Sequence, residues 1–365
     1  MKPPRRILVV MTRRIGDVLL STPVMRSLRR AWPQAEINVL VFKGTEGVLL
    51  GNPDINRILT VAPRAALGEH LRLLAKLWRR YDLALSLLAG DRPTLYAGIA
   101  ARYRVGLVVP GAKHRWKTAL LSQSVELDNL GTHTVLMHLK LVELLGIAPS
   151  YEVVAAWRPA DERQLAELLP FAAQQENYAV LHVHPMYAYK MWRTDAWVEL
   201  ADWLHQQGLR VVLTGGNGTE ELQYIQRLLA LLPAGTISVA GRTGLGGVAC
   251  LLSRARAYVG PDTVVSHMAA ALGTPTVALF GPSNPVKWGP WPAGYRQNSN
   301  PYRMRGTQRV NNVVLMQGSG DCVPCMEEGC ERHLASLSKC LQELPVSSVT
   351  AALQELWRAE QLQET

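Results

Sequence analysis

The feature that most constrains this chain is a strand–helix alternation that runs through the first 146 residues and then starts again. Short apolar runs such as Ile7–Met11 and Ile37–Phe42 alternate with longer amphipathic stretches such as residues 16–31. Parallel strands that are buried on both faces read as continuous apolar runs joined by crossover helices. The sequence therefore predicts an α/β protein built from doubly wound sheets.

The alternation lapses once, over residues 147–176, where three prolines fall and the apolar periodicity weakens. A chain of 365 residues is also too long for one ordinary core. We therefore predict an N-terminal Rossmann-like domain over residues 1–160 and a C-terminal Rossmann-like domain over residues 161–345. A last helix, over residues 346–365, is expected either to stay with the second domain or to pack back on the first.

Individual elements follow from the same pattern. In the first half, strands are predicted at Ile7–Met11, Ile37–Phe42, Arg57–Val61, Leu83–Leu87 and Tyr103–Leu107, with helices near 16–31, 64–80, 92–101 and 131–146. In the second half, strands are predicted at Val180–Val183, Val211–Thr214, Ile237–Val239, Ala257–Val259 and Thr276–Phe280, with helices near 195–207, 217–231, 245–253, 264–272 and 346–361.

Charge narrows the class of partner. The formal net charge is +10, from 39 Lys and Arg against 29 Asp and Glu, which favours anionic partners such as phosphorylated sugars or an acidic membrane surface. A solvated basic surface without a partner is the alternative. Nucleic acid is not expected, because the sequence has no RNA-binding signature, helix-turn-helix pattern or aromatic stacking platform. The apolar runs are shorter than a membrane span, and the N-terminus lacks the features of a secretory signal, so a cytoplasmic location is predicted.

A carboxylate follows the first predicted strand, in the string Arg14-Ile15-Gly16-Asp17 that continues to Pro23. On position alone, Asp17 is explained by a favourable interaction with the positive end of the helix dipole. The turn has no G-x-G-x-x-G, so a dinucleotide site is not indicated.

Two further motifs lie in the second half. Lys190-Met191-Trp192 follows the strand predicted at Val180–Val183, and by itself it describes a surface lysine beside a packed tryptophan. The string from Gly260 to Pro275 describes a strand, a polar turn and a helix that ends at a glycine. The N–H groups at the start of such a helix can bind a diphosphate.

These three motifs, in this order, resemble glycosyltransferase family 9, the ADP-heptose:lipopolysaccharide heptosyltransferases, most closely the type III branch of that family. The resemblance covers about residues 6–355 and implies a GT-B fold, in which two Rossmann-like domains face a central cleft. It also implies a general base at Asp17, which takes the proton of the acceptor hydroxyl, with Arg14 and Gly16 on the acceptor side.

The resemblance assigns the donor to the second domain. It implies that Lys190 neutralises the leaving diphosphate and that the phosphates are bound by the following residues: Asp262, Thr263, Val264, His267, Gly281, Pro282 and Ser283. Val264 stands where the family usually has glycine, which puts the fine phosphate geometry in question. Glu220, next to Glu221, is a candidate for the ribose hydroxyls, and helix N-terminal charge explains these glutamates equally well.

The function that the resemblance implies is an inverting, metal-independent transfer of heptose from ADP-L-glycero-D-manno-heptose to the inner core of lipopolysaccharide. No cofactor is required, and the protein is expected to act peripherally at the inner face of the inner membrane. Two alternatives remain: a nucleotide-sugar 2-epimerase, which needs no acceptor, and a catalytically silent protein that binds sugar nucleotides.

Four of the five cysteines fall within a short segment, as Cys322, Cys325, Cys330 and Cys340. Their number suits a structural zinc site, but the second pair lacks the C-x-x-C spacing that marks such sites. Reduced structural thiols or a disulfide bridge are the alternatives, and no metal is expected to take part in catalysis.

Overall fold

The computed structural model describes residues 2–111, 113, 115–169 and 177–364. Its contacts divide the chain into two compact units. The first comprises Met1–Ala155 and Arg296–Ser299, and the second comprises Ala156–Tyr295 and Asn300–Thr365. The division therefore falls at Ala155, slightly before the predicted position at residue 160, and residues 170–176 of the predicted linker lie outside the described part of the chain.

The first unit is a six-stranded parallel sheet with helices between its strands. Its elements are β1 (Arg6–Met11), α1 (Ile15–Leu19), α2 (Thr22–Ala31), β2 (Glu36–Phe42), β3 (Arg57–Val61), α3 (Leu67–Leu77), β4 (Tyr81–Ser86), α4 (Asp91–Ala100), β5 (Ala101–Val108), α5 (Arg115–Leu120), β6 (Gln123–Glu126) and α6 (Thr134–Leu144). The strand order is β3-β2-β1-β4-β5-β6. Leu8 of β1 pairs with Asn38 on one side and Ala84 on the other, so β1 is a central strand, and five of its six residues are buried.

The second unit is a seven-stranded sheet. Its elements are α7 (Pro159–Leu168), β7 (Tyr178–His182), α8 (Thr194–Gln206), β8 (Arg210–Thr214), α9 (Thr219–Leu229), β9 (Ile237–Ser238), α10 (Leu245–Leu252), β10 (Ala257–Pro261), α11 (Val264–Leu272), β11 (Thr276–Phe280), α12 (Pro285–Trp288), β12 (Gln308–Val310), β13 (Val313–Gln317), α13 (Lys339–Gln342) and α14 (Val346–Glu364). The order is β12-β13-β11-β10-β7-β8-β9, with β12 antiparallel at one edge.

The two sheets share one connectivity. In the first unit the chain moves outward from β1 to β3 and then crosses to β4; in the second it moves from β7 to β9 and then crosses to β10. The order therefore reverses between β1 and β4 and between β7 and β10. In open α/β sheets, ligands bind outside the carboxyl ends of the strands at such a reversal. The loops that follow β1, β7 and β10 are therefore where a ligand site is expected.

Several predicted elements need correction. The helix predicted over residues 16–31 is two helices, α1 and α2, because the chain turns at Ser21, whose hydroxyl donates to Val18 O at 2.7 Å, and Pro23 opens α2. Helix α7 lies within the predicted linker and packs against α10, where Asp161 approaches Gly246 so closely that a Cβ there would lie 2.5 Å from its carboxylate. The short elements β6, α5, α12, β12, β13 and α13 were not predicted.

The last helix belongs to the second unit. Helix α14 packs on α8, β11 and β13 and buries Val349, Leu353 and Leu356 in the core of that unit. Among the described residues, none of the helices has both the length and the apolar character needed to cross a membrane.

Candidate functional site

In the first unit, the buried carboxylate of Asp17 lies in the first turn of α1, just after the short loop that follows β1. The Nε of Arg13, in the same loop, is 3.5 Å from its Oδ1. Arg14 is exposed and precedes α1, and Gly16 lies in the first turn of the helix. The fold thus presents a carboxylate and two guanidinium groups at the carboxyl end of the central strand β1, a polar arrangement suited to a ligand that carries hydroxyls and anionic groups.

In the second unit, four predicted site residues come together at the carboxyl ends of three adjacent strands. We call Lys190, Asp262, His267 and Ser283 the Asp262 cluster. Lys190 follows β7, Asp262 follows β10, and Ser283 follows β11, while His267 lies in α11. The parallel order of β7, β10 and β11 is the reason that residues so distant in sequence meet.

The contacts in the cluster centre on one carboxylate. Lys190 Nζ donates to Asp262 Oδ2 at 2.5 Å and to the main-chain oxygen of Asp262 at 3.3 Å. The Ser283 hydroxyl donates to the same Oδ2 at 2.7 Å, and His267 Nε2 lies 3.9 Å from Oδ1. Asp262 and His267 are almost fully shielded from solvent, whereas about a fifth of the Lys190 side chain remains accessible (19%).

Burial and charge act in opposite directions on Asp262. Burial favours the neutral acid, but Lys190, His267 and Ser283 together outweigh it and lower the pKa of the carboxyl group below its usual value. Burial lowers the pKa of His267 to about 4, opposed by Asp262 and reinforced by Lys190. At neutral pH the cluster therefore holds an ammonium, a carboxylate and a neutral imidazole, and its charges balance.

The start of α11 lies beside the cluster. Thr263 is the N-cap residue with an extended backbone, and Val264 is the first residue of the helix. The φ angle of Val264 is not positive, so its backbone conformation does not require glycine and is not strained. The difference from glycine is therefore a branched side chain at the N-terminus of the helix. The first N–H groups of α11 have no partner within the helix and can bind an anion.

A buried hydroxyl network fixes the turn into α11, and sequence reasoning missed it. The hydroxyls of Tyr258 and Ser266 share a hydrogen bond of 2.9 Å, and Ser266 Oγ donates to Pro261 O at 2.5 Å. A Cβ at Gly260 would lie 2.1 Å from the Tyr258 hydroxyl, so only glycine fits there. The sequence signal that could have indicated this network is that Tyr258 and Ser266 lie on either side of Gly260 in or next to the motif.

The C-terminal segment holds both loops of the cluster. Residues 322–342, which we call the cysteine segment, include α13. Ser338 Oγ donates to Tyr189 O at 2.6 Å and Gln342 Nε2 to Met191 O at 2.7 Å, which fixes the main chain on both sides of Lys190. The N–H of Met326 donates to Pro282 O at 2.8 Å, next to Ser283. The segment therefore positions the two loops that supply Lys190 and Ser283.

Close packing supports the same loop at Gly281. A Cβ at this position would lie 2.8 Å from Leu341 Cγ and 3.1 Å from Cys340 Sγ. The glycine of the predicted Gly281-Pro282-Ser283 loop is thus explained by its contact with α13.

The cysteines are all free thiols, which agrees with the alternative of reduced thiols and not with that of a bridge. Burial, with a contribution from the three neighbouring cysteines, raises the pKa of Cys340 to about 11. In the described ranges, no group of three or more His, Cys, Asp or Glu side chains is arranged to hold a metal ion, so the zinc alternative has no formed ligand set. The fifth cysteine, Cys250, is buried in α10.

The two glutamates of α9 differ. Glu221 Oε1 accepts the N–H of Gly216 at 2.8 Å and so holds the turn after β8, whereas Glu220, the predicted ribose ligand, is exposed. Nearby, His182 Nδ1 and Thr214 Oγ1 lie 3.1 Å apart, and burial lowers the pKa of His182 to about 4.

Most of the chain is similar to known proteins of one family. The family model described as glycosyltransferase family 9 (heptosyltransferase) matches residues 57–315. The chain is 28% identical to lipopolysaccharide heptosyltransferase 3 of Escherichia coli K12 over 286 residues, which is 76% of this chain and 82% of that protein. It is 28% identical to lipopolysaccharide heptosyltransferase 1 of Pseudomonas aeruginosa over 341 residues, or 89% of this chain and 87% of that one.

Solved structures show the same fold. A family 9 glycosyl transferase from Veillonella parvula superposes with a TM-score of 0.77 at 20% identity and covers 96% of this chain and 97% of its own. The ADP-heptose lipopolysaccharide heptosyltransferase II of E. coli superposes with a TM-score of 0.72 at 21% identity, over 98% and 99%. The predicted fold class, α/β of the GT-B type, is confirmed.

Proposed function

Since the chain belongs to glycosyltransferase family 9, we propose that it transfers heptose from ADP-L-glycero-D-manno-heptose to the inner core of lipopolysaccharide, with inversion and without a metal. The observation that carries this proposal is the Asp262 cluster. It joins an accessible ammonium to the N-terminus of α11 at the strand ends where α/β sheets bind ligands. Both features suit the diphosphate of a nucleotide sugar.

For the donor, we propose that Lys190 and the first N–H groups of α11 bind the diphosphate. As the glycosidic C–O bond breaks, its electron pair passes to the β-phosphate of ADP, and a fixed ammonium stabilises that charge. For Asp262 we propose a different role from the phosphate contact that the resemblance implied. Its carboxylate would repel a phosphate and is engaged by Lys190 and Ser283, so it positions Lys190, and only its main chain is suited to contact the donor.

For the acceptor, we propose that Asp17 is the general base. The acceptor oxygen attacks the anomeric carbon from the face opposite the diphosphate, and its proton passes to the Asp17 carboxylate. Arg13 Nε lies 3.5 Å from that carboxylate and places a positive charge beside the proposed base. Arg14 is suited to an anionic group of the acceptor, and the exposed Glu220 is the candidate for the ribose hydroxyls.

The proposed location in the cell follows from the nature of the acceptor. Lipopolysaccharide core is anchored by lipid, so we propose that the protein works in the cytoplasm against the anionic inner face of the inner membrane. The formal net charge of +10 suits both partners.

The test is a transfer assay with Asp17→Asn. Purified protein, ADP-heptose and core-truncated lipopolysaccharide are incubated, and the glycolipid is analysed by mass spectrometry. We expect the wild type to add one heptose, and the variant to lose activity by roughly 100-fold or more while it still binds ADP. Asp195→Asn, at an exposed carboxylate of α8, is the matched control and should retain activity.

The assay also separates the two alternatives. A 2-epimerase would convert the sugar nucleotide without acceptor, and a silent binding protein would bind ADP but leave both substrates unchanged. Family membership favours the transferase over both.

A further inference from the structure

Helix α3 of the first unit carries a line of large apolar side chains that face solvent. Leu67 is 75% exposed, Leu71 is 56% exposed, and Trp78, which directly follows the helix, is 61% exposed. Spacings of four and seven residues put the three on one side of a helix. Apolar side chains gathered in this way at the surface mark a site of interaction.

Basic residues flank this line. Arg72, Lys76 and Arg79 are exposed. Arg72 and Lys76 lie on a third side of the helix, between the apolar line and the buried side, and Arg79 follows the helix. The guanidinium carbon of Arg79 lies 5.7 Å from the centre of the Trp78 ring. Over residues 64–80 the chain has five basic residues and one acidic residue, Glu69.

The exposure belongs to the folded unit, because a neighbouring side of α3 is packed. Leu77 is fully buried, and the partly buried Leu73 and Leu74 pack against the core beside α4, with Leu74 at the edge of the exposed line. His70 Nδ1 and the Tyr96 hydroxyl share a hydrogen bond of 2.9 Å. The helix therefore has three sides: one in the core, one apolar and exposed, and one basic.

We propose that the exposed sides of α3 form a docking surface for an anionic lipid bilayer, with Leu67, Leu71 and Trp78 entering the interface and the basic residues contacting lipid phosphates. A helix that lies in a membrane interface combines these same two features. The inference deepens the proposed function, since it names the surface that would bring the enzyme to a lipid-linked acceptor.

A second copy of this chain fits the surface less well. A two-fold contact brings the same patch of both copies together, so Arg72, Lys76 and Arg79 would face their own counterparts. Like charges that face each other oppose association, whereas an anionic bilayer neutralises them.

The test is co-sedimentation of the full chain with vesicles of phosphatidylcholine that contain about 30% phosphatidylglycerol, whose negative surface potential attracts basic segments. We expect the wild type to bind, to bind pure phosphatidylcholine at least tenfold more weakly, and to be released by high salt. Leu71→Glu/Trp78→Glu should lower the partition coefficient at least tenfold. Leu71→Met/Trp78→Phe keeps the apolar surface and should stay within about twofold, in line with similar buried area.

Two controls keep the outcomes distinct. Leu231→Glu changes an exposed leucine (59%) of the second unit and should bind vesicles like the wild type. Heptose transfer to detergent-dispersed acceptor should be equal in the wild type and the Leu71→Glu/Trp78→Glu variant. A wild-type protein that binds the vesicles but transfers no heptose would refute the proposed function and leave this inference standing.

The inference is overturned if the wild type does not bind the anionic vesicles, or if Leu71→Glu/Trp78→Glu binds them as tightly as the wild type. A dimer that sediments intact and is dissociated by the same double variant, without vesicle binding, would instead assign α3 to contact between copies.

Discussion

At the scale of single residues, the proposed donor site depends on how Lys190 divides its interactions between Asp262 and a bound diphosphate. It is held by Asp262 in the free protein, and an incoming diphosphate offers it a second anionic partner. The pair keeps the ammonium in place without adding net charge to a buried site. We therefore expect removal of the Lys190 side chain to lower donor affinity and to leave the Asp262 carboxylate without a compensating charge.

We expect Lys190→Ala to weaken ADP binding at least tenfold, about 1.4 kcal/mol, measured by titration calorimetry. Because it leaves Asp262 buried and unpaired, it should also lower thermal stability. Lys190→Ala/Asp262→Asn should recover the stability but not the affinity. Lys2→Ala, at an exposed lysine that precedes β1, is the control, and unchanged ADP binding in Lys190→Ala would remove Lys190 from the site.

A pH prediction follows from His267. Its pKa is about 4 in the folded protein and 6.5 as the reference value, so between these pH values the unfolded chain binds a proton that the folded chain does not. The free energy of unfolding should therefore fall as the pH drops from 6.5 towards 4, by at most about 1.4 kcal/mol per pH unit. Urea unfolding at pH 6.5 and pH 5 should show a smaller pH effect in His267→Gln. An equal effect in both proteins would contradict the assignment, and His182 should supply the remainder.

At the scale of elements, α11 and the cysteine segment determine how precisely the cluster is built. The helix ends at Gly273, whose φ of 85° suits glycine, and its N-terminus is fixed by the Tyr258 network. The segment then fixes the loops on either side. Donor affinity should thus respond to changes in α13 that touch no ligand.

Gly281→Ala tests this contact. The added Cβ would press on Leu341 and Cys340, so we expect a loss of roughly 1–3 kcal/mol in the free energy of unfolding, together with weaker ADP binding as the Ser283 loop moves. Gly244→Ala, where a Cβ meets no atom within 4 Å, is the matched control for both measurements. A Gly281→Ala protein with wild-type stability and affinity would show that the loop is not constrained by α13.

At the scale of the whole molecule, the second unit is closed by the end of the chain. Helix α14 covers β11 and β13 with Val349 and Leu353, and Trp357 stacks on Trp203 of α8 with ring centres 5.7 Å apart. The second unit therefore needs residues far beyond its last predicted motif.

Leu353→Ala should lower the free energy of unfolding by roughly 2–5 kcal/mol, because it opens a cavity in a fully buried position. Chemical denaturation followed by tryptophan fluorescence measures it. Leu356→Ala should act similarly, whereas Leu362→Ala, at a leucine that is 78% exposed, should change little. A negligible effect of Leu353→Ala would mean that α14 is dispensable to the unit.

The sequence by itself determined the α/β class, the restart of the alternation and the order of the motifs, because buried parallel strands require apolar runs and crossover helices require amphipathic ones. It could not reveal the short strands β6, β12 and β13 or the packing of α7, since each depends on contacts with distant residues. The break at Ser21 depends on a local hydrogen bond that the apolar periodicity does not register. Likewise, it brought Lys190, Asp262 and Ser283 forward as separate candidates. Only the parallel order of β7, β10 and β11 joins them around one carboxylate, because hydrogen bonds between strands, not distance along the chain, decide which loops meet.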